Sequence, residues 1–113
     1  GYSVEEILHS SKLRARQTAK IFGARLGVHA GHVREVSGLK PNDDPAPMAE
    51  TLETDRRSIM VVSHLPLLNR LASLLLSGDP DLLQFQFSDA GVVILAGVAG
   101  GWRIEGVVGH QMI

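Results

Sequence analysis

With 113 residues, 44% of them hydrophobic and 20% charged, the chain has the length of one domain and the composition of an ordinary globular protein rather than a disordered one. A formal charge of -1 gives no electrostatic case for a nucleic acid or a membrane as partner. The lack of cysteine removes disulfides, thiolate nucleophiles and Cys-ligated metals, and suits a reducing compartment, so the cytoplasm is the expected location. The longest apolar stretches, 59–62 and 71–76, are too short to span a bilayer.

Gly1-Tyr2-Ser3-Val4 opens without an initiator methionine and runs almost directly into a strand, so the expectation is a chain that lacks its beginning. Residues 6–10 read as a short strand burying Ile7 and Leu8, with Ser10 or Ser11 able to cap the helix that follows. Over 12–26, Ala15, Ala19, Phe22 and Leu26 fall about four apart and turn one stripe to a core, and Gly27 ends the helix. Residues 28–40 read mostly as loop, with 33–36 as a candidate edge strand. Asp44 before Pro45 suits an N-cap and first helical position, predicting a helix over about 45–55 with Met48 and Leu52 on its apolar side.

Ile59-Met60-Val61-Val62 is continuously apolar, as a strand covered on both faces should be. A helix over 65–76 follows, with Leu67, Leu68, Leu71, Leu74 and Leu75 on a wide apolar face, stopped by Gly78-Asp79-Pro80. Residues 83–87 and 90–96 read as strands, and Gly100-Gly101 turns the chain into another over 102–108. Strands alternating with helices argue for a single α/β domain over 1–113, with a mainly parallel sheet flanked by helices and an antiparallel C-terminal hairpin.

In an open α/β sheet, ligands bind outside the carboxyl ends of the strands. Two of these ends carry suggestive groups, Ser10 to Arg14 and Ser63-His64. A helix N-terminus at each offers free N–H groups and partial positive charge, an arginine adds a two-pronged donor, and a histidine adds a tunable charge. Together they describe a phosphate pocket, against the plainer reading of a solvated arginine and a structural histidine.

The block Ile7-Leu8-His9-Ser10-Ser11-Lys12-Leu13-Arg14-Ala15-Arg16-Gln17-Thr18-Ala19 is similar to the S-x-x-x-R-A-x-x-T segment of the histidine phosphatase superfamily (phosphoglycerate mutase-like). Val61-Val62-Ser63-His64-Leu65-Pro66 resembles the segment carrying that family's second active-site histidine, and Leu39, Pro41, Asp44 and Gly100-Gly101-Trp102-Arg103 fit its small SixA-type phosphohistidine phosphatases. The resemblance implies that Arg14 and His64 are catalytic groups holding the phosphoryl group. They would be joined by the backbone N–H of Leu65, with no metal or cofactor. It also implies a nucleophilic histidine in an Arg-His-Gly motif on an earlier strand, and no Arg-His-Gly occurs in this chain. His9, His29, His32 and His110 stand in the wrong context to replace it. An N-terminal strand and helix are therefore expected to be missing, and residues 1–113 alone are expected to fold poorly and to be inactive, because that strand lies inside the family's sheet.

The implied reaction is attack of a histidine on phosphorus and later hydrolysis of the phosphohistidine by water. With no lid insertion and no obvious glutamate beside the motifs, the expected substrate is a phosphohistidine-bearing protein such as a histidine phosphotransfer domain. The alternatives are a small phosphate ester as substrate, or a non-catalytic module binding phosphate or a phosphoprotein. His29 and His32, three apart in a loop with no third ligand nearby, read as surface histidines rather than a metal site. Asp43 and Asp44 read as a turn and a helix cap, and Arg16, Arg25, Arg56 and Arg57 as solvated charges.

Overall fold

β1 (Glu6–His9) is buried along its whole length, which a strand achieves only with partners on both edges and cover on both faces. In the computed structural model, which describes residues 4–55, 57–84 and the backbone of 92–98 and 101–107, both conditions are met. β2 (Val33–Glu35) and β3 (Ile59–His64) flank β1 and run parallel to it. β4 (Val92–Val98) pairs antiparallel with β3, and β5 (Gly101–Val107) antiparallel with β4. Among the described residues the sheet order is β2-β1-β3-β4-β5.

Side chains alternate across the two central strands and so divide the core. Ile7, Met60 and Val62 meet α1 (Leu13–Leu26) through Ala15 and Ala19. Leu8, Ile59 and Val61 meet α2 (Pro45–Thr54) and α3 (Leu67–Ser77) on the opposite face. The stripe on α1 differs from the predicted one at its end: Leu26 is exposed and Gly23 is buried instead. A Cβ at Gly23 would stand 2.8 Å from Val33 Cγ2, so the missing side chain lets the helix lie close against β2.

Capping follows the local chemistry. Asp44 accepts the Ala46 N–H at 3.0 Å in front of Pro45, and Gly27 takes the left-handed conformation (φ 73°) that closes α1. Two elements depart from expectation. A short 3-10 turn, Ala30–His32, precedes β2, with its N-cap His29 accepting the Gly31 N–H. α3 begins at Leu67 rather than at 65, because Leu65 and Pro66 form the turn that leaves the sheet; a residue before proline is sterically turned away from helical backbone.

In the predicted strand over 83–87, Leu83 and Gln84 are not extended in a ladder, and the rest lies outside the described residues, as do Ala90, Gly100, Val108, His110 and Arg56. The expected gap inside the sheet is absent from the described strands: β3 has β1 on one edge and β4 on the other. No helix among the described residues is long and apolar enough to cross a membrane.

Below β1 lies a charge cluster the linear pattern did not reveal. Glu6, 2% exposed, receives Arg34 Nε on one carboxylate oxygen and Arg57 Nη1 on the other, and His32 Nδ1 lies 3.7 Å from the second oxygen. Arg57 is therefore not the solvated charge its position suggested. It also grips Asp55 at 2.8 Å, and its side-chain and backbone donors hold the Asp55 carboxyl down from 3.8 to about 2. The sign follows: a carboxyl depressed in the fold contributes stability that is complete above about pH 3.8 and is lost as pH falls towards 2. Urea midpoints of the wild type and Asp55→Asn are expected to converge over that interval; parallel curves would show that the pair does not contribute.

Candidate functional site

β1, β2 and β3 are parallel, so their carboxyl ends open on the same edge of the sheet. β1 leads into α1 on one face and β3 into α3 on the other. Their adjacent ends thus border the crevice created where successive connections diverge, the position at which open α/β sheets bind ligands. The residues leaving those two strands are Ser10 and His64.

The ladder continues one step past β1, with the Ser10 N–H reaching the Val62 carbonyl at 3.3 Å. This holds the Ser10 hydroxyl 3.2 Å from His64 Nε2. Ser10 is 1% exposed, and its oxygen also accepts the Lys12 N–H at 3.3 Å. His9 is buried behind it, with Nδ1 donating to the Ser10 carbonyl at 2.9 Å; because a carbonyl only accepts, that nitrogen carries the hydrogen. On the other strand Ser63 is fully buried and its hydroxyl donates to the Leu39 carbonyl, tying the segment before α2 to the end of β3.

Three positive or chargeable groups meet at this junction. His64 is half-buried, whereas Lys12 and Arg14 are exposed. Burial, then the charge of Lys12, then that of Arg14 lower the pKa of His64 below its ordinary value. The imidazole is therefore biased towards the neutral form. Neither Lys12 nor Arg14 offers its side chain to a hydrogen bond or ion pair among the described residues. Leu65 stands in the turn after His64. The first turns of α1 and α3 follow directly, with N–H groups that have no acceptor within their own helices.

Two hollows touch the residues next to this junction, Ser11 and Leu65. One of about 630 Å³ is lined by Ser11, Glu35, Ser37, Gly38 and Lys40 among others. The second, of about 460 Å³, is lined by Leu65, Pro66, Asn69 and Arg70 among others. Such an arrangement can hold an oxyanion: two exposed cations, a histidine that an anion would help to charge, and a hydroxyl.

The structure sets Ser10 against His64, with Leu65 next in the chain, and the charges of Lys12 and Arg14 reach that imidazole. The sequence places Ser10 in the Ser10–Arg14 group at the strand end and offers it as a helix cap, without a role towards His64. The N-cap of α1 is Lys12, without a side-chain cap bond, and the Ser10 hydroxyl is turned to His64 instead. Its place as the first residue of the S-x-x-x-R pattern was the available signal. Glu35, an acid near the site, was missed because β2 carries it from a remote stretch to the hollow shared with Ser11.

The other candidates are spent elsewhere. The His29 and His32 rings meet edge to face with centroids 6.1 Å apart, and no group of three metal-ligating side chains stands together among the described residues. Asp43 accepts the Lys40 N–H at 2.9 Å, closing a turn, and Asp44 caps α2. Comparison with protein-family descriptions, curated proteins and solved structures yields no match for this chain.

Proposed function

We propose that the junction of β1 and β3 binds a phosphoryl group, and that the chain is the phosphoryl-holding part of a metal-independent phosphohistidine phosphatase of the histidine phosphatase superfamily, SixA-type. The observation that carries the reading is the Ser10–His64 contact of 3.2 Å at the divergence of α1 and α3, under the charges of Lys12 and Arg14. Arg14 supplies a guanidinium fork for two phosphoryl oxygens, and the Leu65 N–H and a protonated His64 supply further donors. These groups stabilise the charge of the transferring phosphoryl group and need no metal to do so.

The nucleophile in this proposal is a histidine outside these 113 residues. Its ring nitrogen bonds to phosphorus as the P–N bond of the substrate phosphohistidine breaks, and the departing imidazole takes up a proton. Water then cleaves the enzyme's own P–N bond, releasing inorganic phosphate and regenerating the histidine. The substrate is a phosphohistidine-bearing protein, with a small phosphate ester as the competing class.

One observation favours a second reading, a phosphoprotein-binding module without catalysis. β3 and β4 pair directly over Met60–Ala96 to His64–Val92, so the described sheet holds no place between them for a further strand. Incubating the protein, together with any residues that precede Gly1 in its natural chain, with a radiolabelled phosphohistidine protein separates the two. Acid-labile label on the protein followed by free phosphate supports the phosphatase. Tight binding of the labelled partner with no transfer and no release would replace it with the module, and turnover of small esters alone would change the substrate class.

A further inference from the structure

Ser10 carries one hydrogen and two lone pairs on a residue that is only 1% exposed. The Lys12 N–H occupies one lone pair, and the remaining contact of the hydroxyl among the described residues is His64 Nε2. Were the hydrogen of a neutral His64 on Nε2, it would donate to Ser10, and the Ser10 hydrogen would be left buried without an acceptor. A buried donor in that state is costly. The pair is satisfied in one arrangement: Ser10 donates to Nε2, and the ring hydrogen sits on Nδ1.

We propose that Ser10 is a positioning residue for His64: in the empty site it holds the imidazole neutral in the Nδ1–H form, and when His64 gains a proton the displaced hydroxyl hydrogen turns to an oxygen of the bound anion. The proton comes from solvent and goes to Nε2, Nε2–H then donates to Ser10 Oγ, and no covalent bond changes. The second half of this proposal rests on the phosphoryl-binding reading; the first does not.

The surroundings agree with both halves. His9 pins the Ser10 backbone through its carbonyl, so the hydroxyl has a fixed origin. Among the described residues, the charges that bear on His64 are Lys12, from the loop before α1, and Arg14, from its first turn, while β4 sets Val92 opposite it in register. These two charges oppose protonation until an anion arrives, while Glu35 lines the hollow beside Ser11 and is not among the groups that shift His64. The anion neutralises Lys12 and Arg14 and also supplies the acceptor that the Ser10 hydrogen would otherwise lack. Proton uptake and anion binding are thereby coupled, and affinity falls as pH rises through the pKa of His64 in the bound state.

The test is nitrogen NMR of the His64 ring, with sulfate as the probe because it stays a dianion across the titration. Wild-type protein without sulfate is expected to show the Nδ1–H tautomer, opposite to the preference of a free imidazole side chain. Ser10→Ala is expected to lose it and Ser10→Thr, which keeps the hydroxyl, to retain it. At pH 6, Ser10→Ala is expected to bind sulfate about fivefold more weakly, the order set by one hydrogen bond. An Nε2–H tautomer in the wild type, or the same tautomer mixture in Ser10→Ala, overturns the positioning role, and the wild-type spectrum decides even if the alanine variant does not fold. Sulfate that leaves the wild-type His64 titration unmoved overturns the phosphoryl reading and the release step with it, while the ligand-free tautomer still judges Ser10 by itself.

Discussion

Arg14→Ala is expected to weaken sulfate binding by about 10- to 100-fold, since a charge-assisted hydrogen bond contributes ~1.5–3 kcal/mol and each 1.4 kcal/mol is tenfold. Arg14 is exposed and makes no ion pair among the described residues, so the melting temperature should be nearly unchanged. Arg14→Lys should fall between, keeping the charge and losing the fork. The same change has a second consequence with a definite sign. The Arg14 charge is one of the causes that lower the His64 pKa, so in Arg14→Ala without ligand that pKa should rise towards its ordinary value. Calorimetric titration with sulfate measures the first effect and NMR titration of His64 the second. An unchanged affinity with an unchanged His64 would place Arg14 outside the site.

A larger effect on stability is expected at the opposite end of β1. Arg57→Ala leaves the buried Glu6 carboxylate with Arg34 as its remaining guanidinium partner among the described residues and strips Asp55 of its clamp. Removing one partner from a buried ion pair costs about 3–5 kcal/mol when nothing replaces it. With Arg34 still present, the expected loss is about 2–4 kcal/mol, a fall in Tm of roughly 10–20 °C for a domain of this size. Glu6→Gln should cost less, because the arginines it frees are 51% and 41% exposed and can be hydrated where they stand. The order is the diagnostic result in thermal unfolding. If Arg57→Ala were the milder change, the Glu6 carboxylate would not depend on Arg57 for its charge balance.

These two ends of one four-residue strand show which kinds of information the linear chain carries. Helix boundaries were legible where a local device sets them. Asp44 and Pro45 start α2, Gly27 closes α1 and Gly78 closes α3, each acting through backbone groups within a few residues. The α/β character was legible as well, because the run 59–62 is continuously apolar, as a strand covered on both faces tends to be, and the helices that lie on the sheet are striped. Pairing between remote residues was not. The Ser10–His64 contact spans 54 residues of sequence and the Glu6–Arg57 contact 51, and no period or cap encodes a partner at such a distance.

Amino-acid order alone therefore determined most of the helices and strands and their sequence along the chain, and pointed to Arg14 and His64 as candidates for a phosphoryl site, with Leu65 added by the family resemblance. Only the tertiary structure decided that β1 and β3 lie side by side, that Ser10 rather than a helix cap bond is what the first motif contributes to His64, and that Arg57 belongs to a buried carboxylate. The physical reason is the same in each case. Local structure follows from torsional preference and short-range hydrogen bonding, whereas a buried polar group takes its partner from whatever chain the packed sheet brings beside it.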